Sequence, residues 1–262
     1  MTYKTDLLAL SPTIYWPMND ASGATVLDES GNGYNATLSG GYTRAVPCPV
    51  GSARGGTYFN GVDAYLQSGV RFTSHVLSVV AWLFVTQYDA TQRWLLSIGN
   101  PNLVGPSPYW KVDQSGSLQS IGISKGDGTT YQERKFARAP DSQWSMFAGV
   151  FDTSTAGTTQ CLAYMQGNFT TLTTILSGNI GGGNWQSNDF YMMRQGATSA
   201  FYTQGILADV AIWSGTALTL PQLVALNRSG RGFGAGSATL SGQTDQQATL
   251  DLIYAAVHKT YG

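Results

Sequence analysis

The stretch "GILADVAIWSG" (residues 205–215) decides the fold class. Read with a period of two, Ile206, Ala208, Val210 and Ile212 fall on one face of a strand. Leu207, Asp209, Ala211 and Trp213 fall on the other, so both faces are apolar apart from one carboxylate. "LSVVAWLFVT" (77–86) is likewise apolar on both faces, which suits a central strand covered on both sides. Outward from these two, "RWLLSIGN" (93–100), "KVDQSGSLQSIGIS" (111–124), "QWSMFAGVFD" (143–152), "CLAYMQGNFTTL" (161–172) and "NDFYMMRQG" (188–196) continue the series between turn residues. "GTYFNGVDAYLQSG" (56–69) reads as two short strands joined in a hairpin at Asn60-Gly61. About a dozen strands and almost no helix make one large antiparallel sandwich.

Helical signals sit at the margins. "DLLAL" (6–10) forms a turn or two, ended by Pro12. "TLPQLVALNRSG" (219–230) has Thr219 to cap, Pro221 in the first turn and Gly230 to stop it. The sandwich is expected over 1–228, followed by a Gly/Ser-rich linker over 229–244. In the final segment, 245–262, Leu250, Ile253, Tyr254, Val257 and Tyr261 line one face of an amphipathic helix. Beyond a flexible linker, that face needs a partner: a second copy of the chain or another protein of the same assembly.

Composition narrows the function. Only 11% of the 262 residues are charged, against roughly 25% in ordinary globular chains. The net charge is −1 with no basic cluster, so nucleic acid is not an expected partner. No stretch reaches the ~18 apolar residues of a membrane helix, and the N-terminus shows no basic start before an apolar run, so neither insertion nor a signal peptide is expected. Cys48 and Cys161 allow at most one disulfide and match no zinc spacing. Asn35, Asn168 and Asn227 match the glycosylation acceptor, a motif common by chance.

In order along the chain, "YWPMND…VLDESGNGYNATLSG", "YFNGVDAYLQ", "LSVVAWLFV", "QWSMFAGVFD", "LAYMQGNF" and "GILADVAIWSGTALTLPQLVALNRSG" resemble the laminin G-like branch of the concanavalin A-like lectin/glucanase superfamily. The resemblance spans roughly residues 12 to 230 and implies two curved antiparallel sheets packed face to face as a jelly roll, with a short helix after the last strand. The arrangement also resembles modules of bacteriophage tail, head-fibre or decoration proteins. It implies a non-enzymatic virion module that binds host-surface glycan or a neighbouring subunit. The alternative is a secreted or cell-surface lectin-like protein, which is extracellular.

Asp28, Ser30, Asn32 and Gly33 match the first half of an EF-hand loop, but Ser39 stands where the bidentate glutamate belongs. Two readings remain. One is a glycine-asparagine turn with Asp28 capping backbone amides. The other follows from the resemblance: a structural Ca²⁺ held by Asp28 and Asp209, one Asp from the first strands and one from the last, with Asn32 as a helper.

The superfamily's glycosidases use paired carboxylates on a short E-x-D-x-E strand. This chain has two glutamates, Glu29 and Glu133, and no acidic pair at i, i+2. Glu133, in "QERK", reads as part of a solvated loop, and no catalytic residue is assigned. Binding fits better. Asn60, Asp63 and Tyr65 on the expected hairpin, and Tyr109, Trp110 and Trp185 in loop-like segments, combine aromatic faces for sugar rings with polar groups for hydroxyls. "GGGNWQSND" (181–189), around Trp185, reads as the most exposed of these segments.

Overall fold

The two doubly apolar stretches lie side by side at the centre of one sheet. They form β7 (Val76–Val85) and β17 (Gln204–Ser214), paired antiparallel. The computed structural model describes residues 2–48, 55–86, 92–99, 106–112, 118–124, 131–137, 143–154, 161–165, 168–169, 173–176, 185, 188–196 and 200–231.

The rear sheet continues on one side of β7 through β12 (Trp144–Asp152), β13 (Cys161–Met165) and β14 (Asn168–Phe169). On the other side of β17 lie β5 (Gly55–Asn60) and β4 (Tyr42–Pro47), while β1 (Ile14–Trp16) pairs with the second half of β17. The front sheet runs β15 (Thr173–Leu176), β11 (Tyr131–Ala137), β10 (Leu118–Ser124), β9 (Ser107–Val112), β8 (Arg93–Ile98), β16 (Phe190–Met192), β6 (Tyr65–Ser68), β3 (Ala36–Ser39) and β2 (Thr25–Val26). All pairings are antiparallel, so the architecture is the expected all-β sandwich, with seventeen strands rather than about a dozen among the described residues.

Burial follows the two faces of the rear sheet. Leu77, Val79, Ala81 and Leu83 of β7 enter the core between the sheets, with Leu95, Trp110 and Phe190 from the front. Val80, Trp82 and Phe84 point the opposite way, into a second apolar layer. Helices α1 (Tyr3–Leu8) and α2 (Leu220–Gly230) cover that layer with Tyr3, Leu7, Leu223 and Leu226. Each such side chain contributes ~1.5–3 kcal/mol on burial, which is why these short helices persist. Thr2 caps α1, and the Gln222 side chain accepts from the Thr219 amide at the start of α2. The rear sheet is thus covered on both faces.

Four expectations change. The strand at 205–215 does not alternate strictly. Asp209 takes φ 47° and the register with β7 slips between Ala208 and Ala211, a bulge. Leu207, Val210 and Ile212 therefore face the inter-sheet core, and Ile206, Ala208, Ala211 and Trp213 face the helices. The Asn60-Gly61 turn is not a hairpin: β5 belongs to the rear sheet and β6 to the front, so the chain crosses between them there. Asn60 Oδ1 accepts from the amides of Val62, Asp63 and Ala64, which holds this corner without cross-strand pairing. Glu133 lies in strand β11, not in a solvated loop. Finally, α2 runs through Ser229 and Gly230, the first two residues read as linker, because Ser229 bonds Asp6 and Gly230 packs on Trp82. The amphipathic segment 245–262 lies outside the described residues.

Candidate functional site

The front sheet's outer face carries no helix among the described residues, and its residues are polar and aromatic. Strand registers set one transverse row across six strands: Gln67, Tyr191, Ser97, Tyr109, Gly122 and Glu133.

At the β6/β16 end, the Arg194 guanidinium lies 3.7 Å from the Tyr65 ring centroid and 4.6 Å from that of Tyr191. Met193 precedes it with φ 66°, and the Gly196 amide donates to Ser97 Oγ at 2.8 Å, so the chain after β16 folds back over this face. Tyr202 stands 6.4 Å from Tyr65. Both Tyr65 and Tyr202 are half-buried, and Phe201 beside them is exposed. Gln67 donates to Asp189 Oδ2, and Arg71 pairs with Asp189 Oδ1 at 2.7 Å. Burial first, and then the Asp189 charge, raise the Tyr191 phenol above its ordinary pKa.

In the middle of the row, Tyr109 reaches across β10 and donates to Glu133 Oε2 at 2.7 Å. Gly122 makes this possible, because a Cβ there would lie 2.5 Å from the Tyr109 hydroxyl oxygen. Lys111 Nζ reaches the same carboxylate oxygen at 3.0 Å and sits 5.2 Å from the Tyr109 ring centroid. Burial, and then Glu133, push the Tyr109 phenol well above its usual range, so it stays a donor.

Of the residues expected to bind a ligand, Tyr65 and Tyr109 occupy this face. Trp110 and Trp185 do not: both belong to the inter-sheet core, at 4% and 3% exposure, and cannot stack on a sugar. Trp110 also donates to Gln119 inside the sandwich. Their aromatic character made them candidates, but β9 turns Trp110 inward and its neighbours Tyr109 and Lys111 outward. Asn60 and Asp63 are committed to the crossover corner, where Asp63 Oδ1 accepts from the Gly41 amide and from Asn60. Gln67, Asp189, Tyr191, Arg194 and Tyr202 had no local sequence signal. Their grouping depends on pairing between strands more than a hundred residues apart.

Asp28, Asn32 and Asp209 do not converge. Asp28 Oδ1 accepts from the amides of Tyr15 and Ser30, and Oδ2 from the Tyr34 amide and the Ser30 hydroxyl, each at 2.9 Å. Asp209 lies at the other end of Tyr15, accepting from its phenol at 2.5 Å. Asn32 turns its amide nitrogen to the Thr13 carbonyl at 3.0 Å. A cation at Asp28 would have to displace four donors, and no group of three His, Cys, Asp or Glu side chains gathers anywhere among the described residues. The donor set does not fit Ca²⁺. Between the sheets a cavity of about 10 Å³, lined by residues such as Leu83, Leu95 and Met192, is too small and apolar for a polar ligand.

Fold and face together define a jelly-roll-like antiparallel sandwich whose front sheet turns a polar and aromatic face away from the core. Among solved structures the chain is similar to botulinum neurotoxin type C, whose cell entry depends on interaction with two ganglioside molecules: 11% identity and a TM-score of 0.60 over 86% of this chain and 52% of that one. The serotype D binding domain gives 8% and 0.59 over 87% and 52%. The binding domain of botulinum neurotoxin DC in complex with SialylT gives 12% and 0.59 over 85% and 52%. The chain spans about half the length of these structures, and at such identities the likeness is one of fold. No protein-family description matches the sequence, and no curated relative does.

Proposed function

We propose that the chain is a non-catalytic carbohydrate-binding sandwich, carried on a bacteriophage particle as a tail, head-fibre or decoration component. The observation that supports binding is the half-exposed pair Tyr65 and Tyr202, with Arg194 stacked on the Tyr65 ring and Gln67, Asp189 and the exposed Asn188 nearby. Half-exposed rings present a flat apolar face to the C–H groups of a sugar, while the amide and carboxylate groups meet its hydroxyls. In support, one of the similar structures is described with two ganglioside molecules and another in complex with SialylT, each a chain of which this one spans about half. Hydrolysis is disfavoured by geometry. Glu133 and Tyr191 are four strands apart in the row, roughly 19 Å at 4.8 Å per strand, and Asp189 lies two residues before Tyr191. Glycosidase carboxylates stand about 5–9.5 Å apart.

The test is binding to immobilised bacterial surface polysaccharides. Tyr65→Ala should weaken binding about tenfold or more while leaving the melting temperature within about 2 °C, and no reducing ends should be released. Wild-type binding by Tyr65→Ala would remove the tyrosine pair from the reading. Capsid and tail genes beside the coding sequence would test the virion placement.

A further inference from the structure

Phe201 is an exposed aromatic residue held in a costly backbone conformation. Its φ is 58°, in the left-handed region, and it is 36% exposed. Bulky L-residues avoid that region because Cβ crowds the following carbonyl oxygen, and they persist there only where the surroundings over-determine the chain. Here they do. The Trp94 amide donates to the Phe201 carbonyl at 3.0 Å, and Arg93 Nη1 donates to the Tyr202 carbonyl at 2.7 Å. The Thr203 amide donates to the Met193 carbonyl and the Thr203 hydroxyl to the Trp94 carbonyl, both at 2.8 Å. Each of residues 201–203 is thus bonded to a neighbouring segment, and the outcome leaves a phenylalanine in contact with water.

A second apolar side chain stands at the same corner. Val62, 73% exposed, is the most exposed large apolar residue among the described residues. Arg93 Nη1 also donates to the Gly61 carbonyl at 3.3 Å, so one guanidinium ties the residue before Val62 to the residue after Phe201. Asn60 Oδ1 accepts from the Val62 amide at 2.9 Å, which fixes this tip as well. Val62 lies three residues before Tyr65, Phe201 directly precedes Tyr202, and the two tyrosine ring centroids are 6.4 Å apart. The half-exposed tyrosines are therefore bordered by two side chains that hold no hydrogen-bonding atom. A sugar hydroxyl seated there would lose water without a replacement partner, whereas a methyl group gains by leaving water. Two side chains offer far less than the ~800 Å² per partner of a stable protein–protein interface, so a small apolar substituent suits them better than a second copy of the chain.

We infer that Val62 and Phe201 form an apolar lip beside Tyr65 and Tyr202 that takes the methyl group of a bound sugar. Two sugar classes carry such a group: 6-deoxyhexoses at C6 and N-acetylhexosamines on the acetamido carbon. The inference rests on the carbohydrate reading of this face and specifies the ligand class.

The full chain is titrated with two pairs of sugars, L-rhamnose against L-mannose and N-acetyl-D-glucosamine against D-glucose, and followed by saturation-transfer NMR. In at least one pair the methyl-bearing sugar should bind about fourfold more tightly, as one buried methyl group allows, and its methyl protons should receive the most saturation. The pair that responds tells the two classes apart. Asparagine tolerates the left-handed region, so Phe201→Asn should melt within about 3 °C of wild type while abolishing the preference. Val62→Thr, nearly the same shape at an exposed position, should leave the melt unchanged and reduce the preference. Equal binding within both pairs, alongside Tyr65-dependent polysaccharide binding, overturns the methyl inference and spares carbohydrate binding. A preference that survives in both variants likewise overturns it, because the methyl group then sits elsewhere. Self-association of the wild type that Val62→Thr abolishes would make the lip a contact between copies and also overturns it. No binding of any sugar or polysaccharide removes both readings.

Discussion

Replacing Asp28 by alanine tests whether the loop at 28–35 is a self-sufficient turn. The carboxylate accepts four hydrogen bonds, three from backbone amides and one from Ser30. Through Tyr15 it fixes β1, and β1 pairs with the half of β17 beyond the bulge. Bonds to a charged acceptor are each worth about 1.5–3 kcal/mol when buried, but Asp28 is half-exposed and solvent screens it. A net loss of about 2–3 kcal/mol follows, or about 5–10 °C in melting temperature for a domain of this size. Burial alone would raise this carboxyl's pKa, but the amides of Tyr15, Ser30 and Tyr34 outweigh it and hold the group below its ordinary 3.8. The folded chain thus binds this proton less readily than the unfolded chain. The contribution is fully present above the unfolded value of 3.8 and is lost as pH falls through the lower folded value. Thermal melts at neutral pH and near pH 3, each with EDTA or Ca²⁺, read all of this at once. Asp28→Ala should destabilise at neutral pH, the gap should narrow in acid, and neither EDTA nor Ca²⁺ should move the wild-type melt. An EDTA-lowered melt restored by Ca²⁺, and lost in Asp28→Ala, would refute the reasoning and put a cation in the loop.

Other consequences follow from packing. A Cβ at Gly230 would lie 2.5 Å from Trp82 Cζ2, and that ring is 0% exposed, so Gly230→Ala should destabilise by about 1–3 kcal/mol despite its better helix propensity; an unchanged melt would mean that α2 does not dock here. Cys48 and Cys161 are buried and not joined in a disulfide, and burial pushes the Cys161 thiol up to about 12. A thiol reagent should therefore label neither in the native chain and both in denaturant, whereas rapid native labelling would contradict the core packing. Deleting residues 240–262 should leave a cooperative melt and abolish oligomerisation or incorporation into a particle; a molten product would show that the tail belongs to the sandwich.

The sequence by itself determined the sandwich, because 77–86 and 205–215 are apolar on both faces and must be covered twice over. It also placed the two helices at the margins: Thr219, Pro221 and Gly230 mark α2, whereas α1 runs over Tyr3–Leu8 behind a Thr2 cap, three residues earlier than the stretch read as helical. These signals are local, and a period of two or a cap is visible without knowing any neighbour. The tertiary structure decided what depends on distant partners. The bulge at Asp209 reassigns Val210 and Ile212 to the opposite face, because the Tyr15 phenol, 194 residues away, holds that carboxylate. The Asn60-Gly61 turn looks the same locally in a hairpin and in a crossover, and only the partners of β5 and β6 distinguish them. Glu133 appeared solvated beside Arg134 and Lys135, yet the Tyr109 hydroxyl and Lys111 of β9, two strands away, take up its carboxylate. Register between strands far apart in sequence sets which side chains share a face, and no short stretch carries that information.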